Sequence, residues 1–386
     1  MKIILLILTI LILITYIYNR QPNEQMINIP TIQQPPKWTI RNDCNYMMNE
    51  TIMDILEKYD INHTSDDDWI LYIPCTYNNI TKEIMDVKPS RSTQRVFLID
   101  NADEISGKNR LWEHLVSAYG REYAKQLMPN TYVLFDTNDR LLFEKEHDPN
   151  KLYILKKNIQ RQQGLLITDD KKVILDGDKE HYVVVQELLQ DPYLIDGRKI
   201  NMRFYLLVIC NNGEIDAYVH NNGFMYYTAE KFRKGTKEVG SNVTTGYIDR
   251  QVYVDNPLTH DDFRKYLDDQ RRTLSQFEIS ILMNNERISD VLFDSVYDVL
   301  ADAIASMKGK ICHEGHLKSA ISFQLFGADI AINDRLKAQI MEINKGPDLG
   351  AKDDRDKEVK HTVVADMLKV MRIIPDPNHN FIKILE

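Results

Sequence analysis

Toward the carboxyl-terminal end of the sequence, Asp329, Glu342 and Asn344 bring two carboxylates and an amide oxygen into one short stretch. Glu342 and Asn344 are two residues apart, so strand alternation puts both side chains on one face. The polar segment Asn333-Asp-Arg-Leu336 stands between the apolar runs 328–332 and 338–343, which predicts a hairpin that turns Asp329 toward the other two. Such an oxygen-only set suits Mg²⁺, which takes few protein ligands and completes its shell with water and phosphate oxygens. Three solvated polar residues on an edge hairpin would show the same spacing.

A second cluster stands in Arg198-Lys199-Ile-Asn201-Met-Arg203, which runs into the apolar segment 204–209. By alternation Lys199, Asn201 and Arg203 share a face, and the apolar residues read as a buried strand. Two cations beside a polar partner neutralise phosphate charge and hold it in line for transfer; a surface charge cluster is the competing reading. A third candidate runs from Tyr153-Ile-Leu-Lys156-Lys157 through a polar loop to Gly164-Leu-Leu-Ile167. A strand, loop and strand with lysine at the loop's base would present backbone amides to phosphates. It is not a P-loop, because no Gly-Lys-Ser/Thr triplet follows.

Three units must position these residues. Residues 38–149 mix short apolar runs at 69–73 and 95–99 with one helix. On it Leu111, Trp112, Leu115, Val116, Tyr119, Tyr123 and Leu127 recur at helical spacing until Pro129, giving a small N-terminal α/β domain. Residues 150–235 alternate strand-like segments near 153–155, 182–185 and 204–209 with turns, and residues 236–386 hold a helix near 291–304 and the hairpin. At 43% hydrophobic and 27% charged residues, a chain of 386 residues can build such cores and shows no bias toward disorder. Its net charge of −9 argues against a nucleic-acid partner. Cys44, Cys75, Cys210 and Cys312 stand far apart with no Cys-x-x-Cys pair, so buried free thiols are expected rather than a zinc site or a dense disulfide framework. Four Asn-x-Thr sequons, at Asn49, Asn62, Asn79 and Asn242, matter only for a lumenal domain.

Residues 3–18 are apolar except Thr9 and Thr15, between Lys2 and Arg20. A helix of that length covers about 24 Å of a hydrocarbon core of about 30 Å, with Tyr16 and Tyr18 suited to the interface. No Ala-x-Ala-like cleavage site follows. The expectation is a single-pass membrane anchor over residues 1–20 and a Pro- and Gln-rich tether over 21–37. The flanking charges leave open which side of the membrane the rest occupies.

Taken in order, these segments resemble the tubulin–tyrosine ligase-like family of ATP-grasp enzymes. The match begins at Lys108-Asn-Arg-Leu111, passes Pro129-Asn-Thr-Tyr-Val-Leu134 and ends near Gly350. Its strongest parts are Val185-Gln186-Glu-Leu-Leu-Gln-Asp-Pro192, the segment 198–203, Phe326-Gly-Ala-Asp329 and Glu342-Ile-Asn344. The resemblance implies an α/β (α+β) ATP-grasp fold, with the nucleotide held between two α+β subdomains over 150–235 and 236–386, behind the N-terminal domain and the transmembrane anchor. It implies an ATP-dependent carboxylate–amine ligase that adds an amino acid, with glutamate expected, to a protein carboxylate through an acyl phosphate. ATP and Mg²⁺ are the implied cofactors; a free amino acid and an acidic-tailed protein such as tubulin are the implied partners.

Carried over by residue, Lys156 would contact ATP phosphate, with Lys157 as the alternate register. Gln186, Glu187, Leu188 and Leu189 would border the adenine at a hinge, and Lys199 and Asn201 would contact the nucleotide. Arg203 would serve the phosphoryl and acyl phosphate groups, and Asp329, Glu342 and Asn344 would bind magnesium. Lys199, Arg203 and Glu342 make up the implied catalytic set. The family usually has Asp at the position of Asn201, Lys at Glu187, glycine at Leu166 and a substrate-facing arginine at Tyr226. These departures keep a second class in view, a nucleotide-binding pseudoenzyme acting as a membrane-tethered binding module. A third, a small-molecule ATP-grasp ligase, is opposed by the order of the motifs. Arg161, Lys171, Lys172, Lys231, Arg233 and Lys234 form a candidate basic strip for an acidic acceptor.

Overall fold

The computed structural model describes residues 29–30, 32, 35–77, 80–158, 164–269, 271–313, 315, 317 and 319–385. The expected anchor and most of the tether lie outside them. Among the described residues no helix is long and apolar enough to cross a membrane.

The first strands are short: β1 (Lys37–Thr39), β2 (Asn62–His63), β3 (Leu71–Tyr72) and β4 (Arg95–Val96). They pair in parallel, an arrangement that needs crossover connections. The helices Glu50–Lys58 and Ile80–Asp86 provide two of them. Next come β5 (Thr131–Val133), β6 (Tyr153–Lys156), β7 (Leu165–Thr168) and β8 (Val184–Glu187), an antiparallel sheet in the order β5-β8-β6-β7. Alternation divides its residues. Tyr132, Tyr153, Leu155 and Val185 pack with Phe143 of the helix Thr137–Glu146. Leu152, Ile154, Ile167 and Leu188 gather separately, and Lys156 follows Ile154 onto that second face.

The remaining strands are β9 (Leu194–Ile195), β10 (Arg198–Asn211), β11 (Glu214–His220), β12 (Phe224–Thr228), β13 (Thr244–Thr245), β14 (Ile321–Ile332), β15 (Ala338–Lys345) and β16 (Phe381–Leu385). They join β1–β4 in one sheet whose main path runs β13-β12-β10-β14-β4-β3-β1-β2, with β15 on β14 and β16 on β11. β10 and β14 are the long central pair and are almost wholly buried, which is why they read as continuous apolar runs. The helix Ile288–Ala305 packs beside β15, burying Ile288, Leu292, Val296, Val299, Leu300 and Ala303 at spacings of three and four residues.

Two expectations need correction. The apolar spacing from Leu111 to Leu127 continues across a break, for the structure has two helices, Lys108–Tyr119 and Arg121–Leu127, parted at Gly120 with φ +79°. Only glycine takes that conformation freely. The cysteines are not free thiols: Cys44 bonds Cys75 and Cys210 bonds Cys312, at Cα separations of 5.6 and 5.2 Å. Chain spacing hides this, because Cys210 lies near the end of β10 while Cys312 follows the helix Ile288–Ala305. The second bridge closes 102 residues, and a loop of that size is worth up to about 4.7 kcal/mol in the chain-entropy model. Urea unfolding of the Cys210→Ser/Cys312→Ser double variant should show a loss of several kcal/mol; an unchanged midpoint would count against the bridge.

Candidate functional site

Strand register turns separate motifs into one row of side chains. Phe224 of β12 lies opposite Arg203 of β10, Arg203 opposite Asp329 of β14, and Asp329 opposite Glu342 of β15. One step along, Tyr205, Gly327 and Asn344 form the next row. Arg203 grips Asp329 with two hydrogen bonds, Nε to Oδ1 at 2.6 Å and Nη2 to Oδ2 at 2.8 Å. Gly327 leaves room for this: a Cβ there would stand 3.1 Å from both Arg203 Nη1 and Pro347 Cβ.

The charges in the row depend on one another. Burial opposes the Arg203 charge, yet Asp329 holds its pKa well above the usual value. Burial pushes the Asp329 carboxyl up, against the pull of Arg203. Burial would also raise Glu342, but Lys108, whose ammonium is 3.8 Å away, and the Asn344 amide at 2.9 Å outweigh it and leave the carboxyl below its usual range. Asn344 spends its amide nitrogen on Glu342 and keeps its carbonyl oxygen out of that bond. Among the described residues no group of three or more His, Cys, Asp and Glu could hold a metal. Asp329, Glu342 and Asn344 offer oxygen donors, the type that suits a hard cation whose shell is completed by phosphate and water oxygens.

The cations come from both sheets, Lys156 from β6 of the small one and Lys199 from β10 of the large one. Lys156 donates to Gln186 Oε1 at 2.7 Å, and Gln186 Nε2 donates to Thr131 Oγ1 at 2.9 Å, so the glutamine is fixed from both ends. Lys157 instead lies over the Tyr182 ring at 4.9 Å. Burial brings Lys156 down to about 8, against the pull of Glu342; burial, then the charge of Lys156, brings Lys199 to about 8. Two buried ammonium groups that repel each other are suited to a polyanion, and Asn201 Oδ1, buried without a hydrogen-bond partner, is suited to a hydroxyl or amine donor. Glu187 is occupied by Lys151 at 3.0 Å and by the Asn130 amide at 3.0 Å. Leu188 belongs to the apolar patch with Ile154 and Ile167, and Leu189 is half-buried beside it in sequence.

Tyr226 lies against Arg203, whose guanidinium carbon is 5.1 Å from the ring centroid. Burial pushes its phenol up to about 12. Sequence reasoning missed two cations here. Lys108 opens the first segment of the family resemblance, at the start of the helix Lys108–Tyr119, but its sequence gives no sign that it reaches Glu342. Lys352 lies 4.2 Å from the Tyr247 ring centroid and donates to the Gly246 carbonyl. A Cβ on Gly246 would meet Tyr226 Cζ at 3.3 Å and the Lys352 ammonium at 3.4 Å, so phenol and ammonium share one corner of the site. Of the candidate basic strip, Arg161 lies outside the described residues. Lys231 pairs with Asp196 at 3.0 Å, Arg233 with Glu230 at 3.9 Å, and Lys171 donates to the Glu144 carbonyl at 2.6 Å.

A family model described as Tubulin-tyrosine ligase family matches residues 85–380. A tubulin polyglutamylase of Danio rerio is 23% identical over 349 residues, 87% of this chain and 42% of that protein. One of Homo sapiens is 24% identical over 345 residues, 86% and 37%. A probable beta-tubulin polyglutamylase of Tetrahymena thermophila is 26% identical over 282 residues, 69% and 23%. The chain thus spans less than half the length of these relatives.

The two depressed lysines predict a pH signature. In the unfolded chain lysine titrates near 10.4, whereas in the folded, nucleotide-free protein Lys156 and Lys199 titrate at about 8. Between these values the unfolded state binds more protons, so these two groups add stability as pH rises through that window. A polyphosphate restores their charge, so ATP binding should take up protons above pH 8 and weaken as pH climbs. Calorimetry at pH 9 in buffers of different ionisation heat measures the uptake. Lys156→Met should remove part of it, and no uptake in the unaltered protein would sink the phosphate role of the pair.

Proposed function

The chain belongs to the tubulin–tyrosine ligase family, and on that premise we propose that it is an ATP-dependent carboxylate–amine ligase. In this reading it adds an amino acid, glutamate first among the candidates, to a carboxylate on the acidic tail of a protein, tubulin-like in chemistry. The observation that carries the reading is the row Arg203, Asp329 and Glu342 electrostatically coupled to Lys156, itself coupled to Lys199. The names of the relatives support the amino acid and the class of acceptor.

An acceptor carboxylate oxygen attacks the γ-phosphorus, the bond to the β–γ bridging oxygen breaks, and ADP leaves with the electron pair. The amine of the free amino acid then attacks the acyl carbon; phosphate departs and the nitrogen sheds a proton. Lys156 and Lys199 hold the polyphosphate, and Gln186 with Leu188 and Leu189 borders the base. Arg203, kept charged by Asp329, faces the transferred phosphoryl group and then the acyl phosphate oxygens. Asp329, Glu342 and Asn344 would hold magnesium, which would supply charge neutralisation to the phosphate oxygens. Lys352 offers the incoming amino acid's carboxylate the cation that the family places at the position of Tyr226. Residues 1–20 anchor the enzyme in a membrane, and residues 21–37 hold it off the surface.

The direct test incubates the full chain with ATP, Mg²⁺, labelled glutamate, glycine or tyrosine, and acidic-tailed proteins including tubulin. Tight ATP binding with no label on any protein would favour the pseudoenzyme instead. Glu342→Gln should abolish transfer while leaving the melting temperature nearly unchanged; full activity in that variant would remove the metal role of Glu342. Lys352→Met should raise the KM for the amino acid roughly tenfold or more, the size of one charge-assisted hydrogen bond. The KM for ATP should stay put, and adding Tyr226→Arg should restore the loss. A shift confined to kcat would show that Lys352 does not bind the amino acid.

A further inference from the structure

All four cysteines are paired, at Cα separations within the span that a disulfide bridges. Neither bridge has the setting of a catalytic or metal-binding dithiol. Cys210 and Cys312 are each 5% exposed, and Cys210 is seven residues along β10 from Arg203. Cys44 and Cys75 join two loops of the N-terminal region across 31 residues and are only half-buried. Structural bridges of this sort persist in oxidising compartments, whereas the thiol pool of a reducing one keeps accessible pairs open.

The sequons sort themselves by the bonds their amides make. Asn62 is exposed on β2, and its amide nitrogen makes one hydrogen bond, to the Asp60 carbonyl at 3.2 Å, so one hydrogen remains for replacement. Asn49 uses its carbonyl oxygen, accepting from Thr51 N at 2.9 Å. Asn242 is 2% exposed and donates to both Thr236 O at 2.8 Å and Glu238 O at 2.9 Å, so a glycan there would break a bond and find no room. Asn79 lies outside the described residues.

We propose that the chain beyond its tether folds in the oxidising lumen of a secretory pathway, with both disulfides formed and Asn62 carrying an N-linked glycan, and that its acceptor is an acidic protein of that lumen. Each bridge forms as two thiols give two protons and two electrons to a disulfide-bearing oxidant. The glycan bond forms as the Asn62 amide nitrogen displaces the pyrophosphate carrier of a lipid-linked oligosaccharide and loses one proton. The apolar segment 3–18 provides the route across the membrane, and the bridges assign the orientation that its flanking charges leave open. The acceptor part rests on the ligase reading; the compartment does not.

The test translates the full chain with rough microsomes. The expected product resists carbonate extraction and added protease and shifts on endoglycosidase treatment. Asn62→Gln should remove one glycan, whereas Asn242→Gln should remove none. Non-reducing peptide maps should link Cys44 to Cys75 and Cys210 to Cys312. A protease-sensitive chain with four alkylatable thiols and no endoglycosidase shift would overturn the proposal. These readouts need no transfer activity, so they separate from the ligase reading. With the oxidised chain, labelled glutamate entering lumenal acidic proteins supports the acceptor assignment, and label entering tubulin alone overturns it. Label entering no protein counts against the ligase reading instead.

Discussion

The pairing of Arg203 with Asp329 is the constraint on which the site depends. Both groups are largely removed from water, and desolvating two charges costs several kcal/mol per ion unless their geometry and remaining bonds compensate. Here the compensation is bidentate, and it requires β10 and β14 to be antiparallel neighbours in one register. A slip by a single residue would turn Arg203 away from the face that carries Asp329 and Glu342. The apolar residues between them forbid that slip: Met202, Phe204, Ala328 and Ile330 are fully buried. The core therefore sets the register, and the register assembles the row.

Around that pair the site has a positive and a negative end. Lys156 and Lys199 come from two different sheets; burial lowers both, Lys108 adds to the lowering of Lys156, and Lys156 adds to that of Lys199. Asp329 and Glu342 meet at the other end, where their separation from water is offset by Arg203, Lys108 and the Asn344 amide. A ligand that carries many negative oxygens together with a divalent cation relieves both strains at once. That is the physical content of the nucleotide cleft proposed for this molecule. It also explains why the segment at Gln186 matters: a glutamine with both ends bonded, to Lys156 and to Thr131, fixes one lysine at the end of β6, an inner strand of the small sheet.

Alternation was enough to read the local parts of this arrangement. Lys199, Asn201 and Arg203 share a face, as do Glu342 and Asn344, because period two is a property of any strand. The hairpin at Asn333 was equally legible from its turn residues. What joins these parts is register between strands distant in sequence, and no single strand encodes that. Gly120 breaks a helix whose apolar stripe runs on unchanged, because both pieces bury the same kind of face. The cysteine pairs were invisible for the same reason as the row: bridges join what folding brings together. Lys108 starts a helix and Lys352 lies in the bend before another, where only the folded geometry gives them meaning.

The long central strand divides its labour along its length. Its first half carries Lys199, Asn201 and Arg203 facing the cleft, and its second half is the uninterrupted apolar run that ends near Cys210. At about 3.3 Å per residue, the bridge lies about 23 Å from Arg203. A covalent tie at that distance contacts no ligand, so its effect on chemistry can pass only through the strand's stability and register. The strand is pinned at one end by a disulfide and along its middle by apolar neighbours in β11 and β14. Its charged end is thus positioned by structure that does no chemistry, and the desolvation cost of the five buried charges falls on the part of the fold best able to bear it.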